Sequence, residues 1–186
     1  MLASQEYDKY ELINGKEVMM SPASMNHLRI QGNLYAILWN YLRKKRCNVY
    51  SEAKVVFNET TWYIPDLLIL CDKNKERKNH IEGAPDLVIE ILSPATRKRD
   101  IGIKKDTYEK YGVKEYWLVD PMSKTIEVYL LRDGKFVLDN SYHDYDEEDW
   151  EALSDEEKAE TKLSLKVSLY DDLEIDLREI FREKSF

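Results

Sequence analysis

Two short runs of alternating apolar and polar residues, Tyr10 to Ile13 and Val18 to Met20, flank Asn14-Gly15. That dipeptide suits a tight hairpin turn because both of its residues tolerate positive φ. After Ser21-Pro22, Ser24 can cap a helix in which Leu28, Ile30, Leu34, Ile37, Leu38, Tyr41 and Leu42 recur at helical spacing, so the pattern predicts a first core helix there. Val49 to Phe57 and Trp62 to Leu70 read as a pair of strands about Asn58-Glu59-Thr60-Thr61, followed by a polar loop from Asp72 to Gly83. Leu87 to Leu92 is nearly all apolar, as expected of a strand covered on both faces. A basic helical run then ends at Gly112, a natural stop signal, and Glu115 to Val119 forms a further strand. Thr125 to Leu131 and Lys135 to Leu138, joined by Arg132-Asp133-Gly134, form a second hairpin. Ser154 caps a short helix in an acidic segment, and Asp176 caps a last helix through Arg182. The order of elements predicts an α/β (α+β) fold with a central mixed β-sheet flanked by helices and an N-terminal β-hairpin.

Two carboxylates interrupt the apolar strands. Asp66 in IPDLLIL and Glu90 in PDLVIEILSP fall inside runs where an uncompensated charge is costly. Strand geometry decides how they combine: Asp86 and Glu90, on one face of one strand, stand roughly 13 Å apart and cannot share a small cation. Adjacent strands lie about 4.8 Å apart, so Asp66 and Glu90 on neighbouring strands could both reach an ion that needs oxygens at about 2.1 Å. Leu92 shares the face of Glu90, at the place where a metal-dependent nuclease of the PD-(D/E)xK type carries lysine. A lysine can return from the next element. The strand climbs roughly 13 Å from Glu90 to Pro94, and a helix from Arg97 descends roughly 10 Å by Lys104, back over Glu90. In that helix Asp100, Lys104 and Tyr108, at i, i+4 and i+8, line one side.

These residues carry a family resemblance. The blocks YELINGKEVMMSP (Tyr10 to Pro22) with His27, IPDLLIL, GAPDLVIEILSPATRKRD, GVKEYWLVDP and the closing LEIDLREIF (Leu173 to Phe181) cover most of the chain. In order and spacing they resemble the bacterial restriction-endonuclease family of the Uma-two type, within the PD-(D/E)xK nuclease superfamily. The resemblance implies a restriction-endonuclease-like core with Asp66 and Glu90 as metal ligands. It also implies that Lys104, in the pattern D-x-x-x-K-x-x-x-Y, stands in for the usual lysine. For the superfamily's leading glutamate the candidates are Glu11 and Glu52, with His27 in its neighbourhood. Nuclease relatives that cut both strands work as dimers, so the resemblance also implies a homodimer.

Length and charge fit this picture. At 186 residues the chain is long enough for one sizeable core, and a single domain spanning 1–186 is expected. Its two cysteines, Cys47 and Cys71, have no metal spacing, so neither a zinc site nor a disulfide is expected, and the cytoplasm fits best. The N-terminus lacks a signal-peptide core and no apolar run approaches the roughly 20 residues that span a bilayer, so a soluble protein with no membrane partner is expected. The net charge of −8 argues at first against a polyanionic partner, but residues 143–161 hold ten acidic residues and one lysine, leaving 26 acids against 27 bases elsewhere. That segment reads as an acidic surface insertion. Basic groups at Arg43-Lys44-Lys45-Arg46, Lys73 to Lys78, and Arg97-Lys98-Arg99 with Lys104-Lys105 can neutralise phosphates.

The chemistry that follows is Mg²⁺-assisted hydrolysis of a phosphodiester in nucleic acid, DNA first, with Mn²⁺ able to substitute. Asp66, Glu90 and the backbone carbonyl of Ile91 would hold the ion and Lys104 would orient water or stabilise charge, with His27, Glu11, Glu52, Asp100 and Tyr108 as accessory candidates. His27, at the third position of the first helix, either is a neutral ligand or acceptor, since a helix N-terminus disfavours imidazolium, or simply closes the cap. Asp86 and Asp120, each beside a proline, read as strand-end turn formers. The rival reading is a nuclease-fold module that binds nucleic acid or protein without cutting. Hydrolysis by a carboxylate pair of the glycosidase kind is a further alternative. Esterase and nucleotide-kinase readings lose their support, because there is no G-x-S-x-G elbow and no phosphate-binding glycine loop.

Overall fold

The computed structural model describes residues 9–183. The hairpin forms as its turn chemistry dictates: β1 (Tyr10–Ile13) and β2 (Lys16–Met19) pair antiparallel about Asn14-Gly15, both at positive φ. Helix α1 (Met25–Leu42) starts at Ser24, whose side chain accepts from the His27 backbone N–H, and buries Ile30, Leu34, Leu38 and Leu42.

The two long strands expected next are each broken in two. The structure holds β3 (Asn48–Ser51), β4 (Val55–Asn58), β5 (Thr61–Tyr63) and β6 (Leu67–Leu70). Glu52, at φ 51°, turns the chain between β3 and β4, while Ile64-Pro65 separates β5 from β6. The inner halves, β4 and β5, join the hairpin and the short β7 (Ile81–Glu82) in a five-stranded sheet of order β2-β1-β5-β4-β7. The outer halves, β3 and β6, enter a second sheet. Asp66 therefore lies at a corner just ahead of β6, not within a strand.

That second sheet is mixed, with six strands in the order β11-β10-β9-β8-β6-β3. It contains β8 (Leu87–Ile91), β9 (Glu115–Asp120), β10 (Thr125–Arg132) and β11 (Lys135–His143); β8 and β9 are parallel and the other neighbours antiparallel. Alternating side chains divide the core into two clusters. Leu67, Ile69, Leu87, Ile89, Ile91, Trp117 and Val119 face α1 and the C-terminal elements. Leu68, Leu70, Val88, Leu92, Tyr116 and Leu118 face the five-stranded sheet and α3.

Between β8 and β9 the basic run forms α2 (Arg97–Arg99), a π-turn at Asp100–Lys104 and α3 (Lys105–Tyr111), ending at Gly112 with φ 86°. The acidic segment forms α4 (Glu147–Ala152) and α5 (Asp155–Glu160), the latter with a full capping box at Ser154 and Glu157. A further pair, β12 (Ser164–Lys166) with β13 (Glu174–Asp176), leads into α6 (Leu177–Phe181), capped by Asp176. Buried Glu115 ties this end to β9: it accepts from the Trp117 indole N–H and from the backbone and hydroxyl of Ser168.

The cysteines correct the sequence reading. Cys47 precedes β3 and Cys71 follows β6, and the register Asn48↔Leu70 sets them opposite each other; they form a disulfide with a Cα–Cα distance of 4.0 Å. Among the described residues no helix is long and apolar enough to cross a membrane.

Candidate active site

Four elements converge where the two sheets meet. The register that pairs Leu67 with Ile89 sets Asp66 opposite Glu90 one step further on. Glu90 lies on the face turned toward the five-stranded sheet, between Val88 and Leu92. Lys104, from the π-turn, stands 2.7 Å from Glu90 Oε1, 3.0 Å from Glu11 Oε1 and 3.5 Å from Asp100 Oδ1. Glu11 comes from β1 and also accepts from the Ile64 backbone N–H at 2.9 Å. The Tyr108 hydroxyl donates to Glu90 at 2.7 Å, and that of Tyr116 donates to the carbonyl of Asp100 at 2.9 Å. Glu11, Glu90, Asp100 and Lys104 are each only 2–3% exposed.

Asp66 forms the rim. One of its oxygens accepts from the Ile91 backbone N–H at 2.7 Å, and the other lies 3.0 Å from Nε2 of His27, which reaches over from α1. Gln31, a turn further along that helix, donates to the Asp66 carbonyl and to the Ser51 hydroxyl, both at 3.0 Å. The N-terminus of α1 is thereby fastened to the corner ahead of β6.

Charge and burial set the protonation. Burial pushes the Glu90 carboxyl well above the ordinary range; Lys104 opposes this, while Asp100, Asp66 and Glu11 add to it. Asp100 is raised for the same leading reason. For Lys104 burial favours the neutral amine, but the surrounding carboxylates outweigh it, so its affinity for the proton rises and it stays an ammonium. For His27 burial also works against the charge, yet the hydrogen bond and charge of Asp66 prevail and the imidazole pKa is raised. The direction is opposite to the one expected from the helix position alone, because the Asp66 carboxylate lies 3.0 Å from the ring.

The other sequence candidates are distributed unevenly. Glu11, Asp100, Lys104 and Tyr108 gather around Glu90. Glu52 does not join them: its left-handed backbone aims the side chain outward, 2.8 Å from Lys9. Asp86 accepts from the Cys71 backbone N–H and the Lys114 ammonium, and Asp120 from Met122 and Arg97, so both hold strand ends. The basic groups thin out. Lys104 is buried, Lys105 sits 3.3 Å from the Tyr129 ring centre, and Lys45, Arg46, Lys75, Arg77 and Arg97 have protein partners.

The cluster carries more carboxylates than cations. Four carboxylates face two cationic side chains, and Asp100 Oδ1 is buried without a hydrogen-bond donor. Such a negative excess is what a bound cation would offset. Among the described residues no three His, Cys, Asp or Glu side chains converge as ligands. Mg²⁺ keeps several of its waters and is commonly held through only one or two carboxylates.

Comparison with known proteins places the chain in a family. A family model described as "Putative restriction endonuclease", Uma2, matches residues 2–167. The "Uncharacterized protein slr1290" of Synechocystis is 27% identical over 164 residues, covering 87% of this chain and 79% of that protein. The "Uncharacterized protein sll1609" of the same organism is 25% identical over 130 residues, covering 67% and 73%. A crystal structure from Anabaena variabilis, described as a "putative nuclease belonging to DUF820", superposes with a TM-score of 0.70 at 21% identity, over 92% of this chain and 89% of that one. At that identity the likeness is one of fold.

Proposed function

The chain belongs to the Uma2 family, and from that premise we propose that it is a metal-dependent endonuclease hydrolysing phosphodiester bonds of nucleic acid, DNA in the first instance. The observation that carries the reading is the placing of Asp66, at the corner ahead of β6, opposite Glu90 on β8, with the Lys104 ammonium returned to 2.7 Å from Glu90. Asp66, Glu90 and the Ile91 carbonyl are the residues that would hold Mg²⁺ or Mn²⁺. When bound, the ion supplies charge to the scissile phosphate and lowers the pKa of a water. Lys104 keeps its proton and presents fixed positive charge where the phosphate gains negative charge. Glu11 and Asp100 hold that ammonium in place, Tyr108 orients the Glu90 carboxylate, and His27 with the Ile91 N–H orients Asp66.

The test is cleavage of supercoiled plasmid and of single-stranded oligonucleotides with Mg²⁺ or Mn²⁺ by the parent, Asp66→Ala and Glu90→Ala proteins. Metal-dependent cutting by the parent alone is expected. No cutting by the parent, or equal cutting by all three, overturns the reading. A second reading, a nuclease-fold module that binds without cutting, draws support from the full engagement of Lys104 by carboxylates. It expects no Mn²⁺ heat in isothermal titration, whereas the enzyme reading expects binding that disappears with either alanine substitution.

A further inference from the structure

Helix α1 has two apolar faces, and the core uses one. Ile30, Leu34, Leu38 and Leu42 pack inward, while Met25, Leu28, Gly32, Tyr35 and Trp39 form a second stripe at alternating spacings of three and four residues. Among the described residues nothing covers it: Met25 is 81% exposed, Trp39 50%, Leu28 45% and Tyr35 36%. A Cβ built on Gly32 would meet no atom within 4 Å. This three-four repeat is the seam by which one helix packs against another. Beside it runs β3, the last strand of the six-stranded sheet, and Leu28, Gln31, Gly32, Tyr35 and Ser51 line the shallow groove between them.

We propose that this face is covered by a second copy of the chain, with α1 packed antiparallel against α1 of the partner about a two-fold axis at Gly32. The stripe is complementary to itself in shape. Reversed about Gly32, Tyr35 meets Leu28 and Trp39 meets Met25, so each aromatic lies against an aliphatic side chain, and glycine faces glycine where the backbones come closest.

Charge selects the same face. Two copies at −8 each repel, yet the exposed positions Met25, Leu28, Gly32, Tyr35, Ala36, Trp39 and Asn40 carry no charge. With side chains of roughly 150–250 Å² for the aromatics, the four large residues leave on the order of 400 Å² uncovered, the size of patch that marks an interaction site. A standard interface takes about 800 Å² per partner. The pairing would have to draw the remainder from Gly32, Ala36, Asn40 and the open edge of β3. Because Gln31 links this flank to Asp66, the pairing sets two candidate sites on neighbouring flanks of one dimer.

The oligomeric state of the full chain tests the pairing without any cleavage assay, so its failure is distinguishable from a failure of the nuclease reading. Sedimentation equilibrium at micromolar concentrations should give a dimer. Leu28→Lys and Trp39→Glu, both at exposed positions, should weaken it by about thirtyfold or more, as loss of a central anchor does, with unchanged far-UV circular dichroism. Gly32→Cys should cross-link under mild oxidation to a covalent dimer on a non-reducing gel, whereas Lys44→Cys, off the stripe, should not. A monomeric parent, a dimer that persists in both charged variants, or equal cross-linking at positions 32 and 44 overturns the proposal.

Discussion

The ammonium of Lys104 stands 2.7 Å from the carboxylate of Glu90, although the two come from different elements and the strand position that shares the face of Glu90 is Leu92. With Glu11 and Asp100 also in reach, the lysine serves three buried carboxylates at once. Removing it leaves those charges uncompensated. Lys104→Met should cost about 3–5 kcal/mol of stability in chelator, the usual result of stripping one partner from a buried ion pair, and should abolish cleavage. Urea denaturation with a parallel plasmid assay measures both.

The raised carboxyls make stability depend on pH in a defined direction. Glu90 and Asp100 bind protons more tightly when folded than when unfolded, so the folded state is favoured at low pH and loses that advantage as pH rises through their raised values. His27, also raised, acts in the same sense above its ordinary value of 6.5. In chelator, the melting-temperature difference between parent and Glu90→Gln should therefore move against the parent as pH rises from the ordinary carboxylate range. Added Mn²⁺ should restore the parent alone, with an affinity that tightens as pH rises, because ligand protons are displaced.

The His27 ring bonds to Asp66, while the three carboxylates around Lys104 are held by other partners. Its loss should disturb the orientation of one ligand while leaving the buried cluster intact. His27→Ala should reduce Mn²⁺ affinity about 10- to 100-fold, as loss of such supporting partners does, while the melting temperature in chelator changes little. Titration calorimetry beside a thermal melt checks this.

Glu52 provides the control. By sequence it is an equal candidate with Glu11, but its side chain meets Lys9 at the surface. Glu52→Ala should leave cleavage unchanged and shift stability by no more than about 1 kcal/mol, whereas Glu11→Ala should lower both.

The disulfide closes a 24-residue separation between β3 and β6. Chain-entropy arguments give about 3–4 kcal/mol for a loop of that length. Reduction, or Cys47→Ser with Cys71→Ser, should lower the denaturation midpoint accordingly and leave metal-dependent cutting in place, since Asp66 sits at the opposite end of β6.

Much of this arrangement is legible in the residues. Asn14-Gly15, the Ser24 cap and the apolar spacing of α1 state their structure locally, and the rise of strand and helix suffices to carry Lys104 back over Glu90. The corners are less plain: Ser51-Glu52-Ala53-Lys54 interrupts the apolar run without glycine or proline, and apolar residues continue on both sides of Ile64-Pro65 while the chain passes from one sheet to the other. Pro65 is the available signal. That same hidden corner conceals which glutamate turns inward, since Glu11 reaches the cluster only because the five-stranded sheet folds over the six-stranded one. The cysteine pairing depends on the β3–β6 register, which follows from the same break. The π-turn leaves no trace in the apolar spacing, and with it Asp100, Lys104 and Tyr108 still face one way.

The position of Glu11 on the first strand and of Lys104 on a helix far downstream bears on the chain's own synthesis. A nascent polypeptide emerges N-terminus first, so Glu11 leaves the ribosome well before the lysine does. On the nuclease reading proposed above, cutting is thus deferred until more than half of the protein has been made and its two sheets have closed on each other.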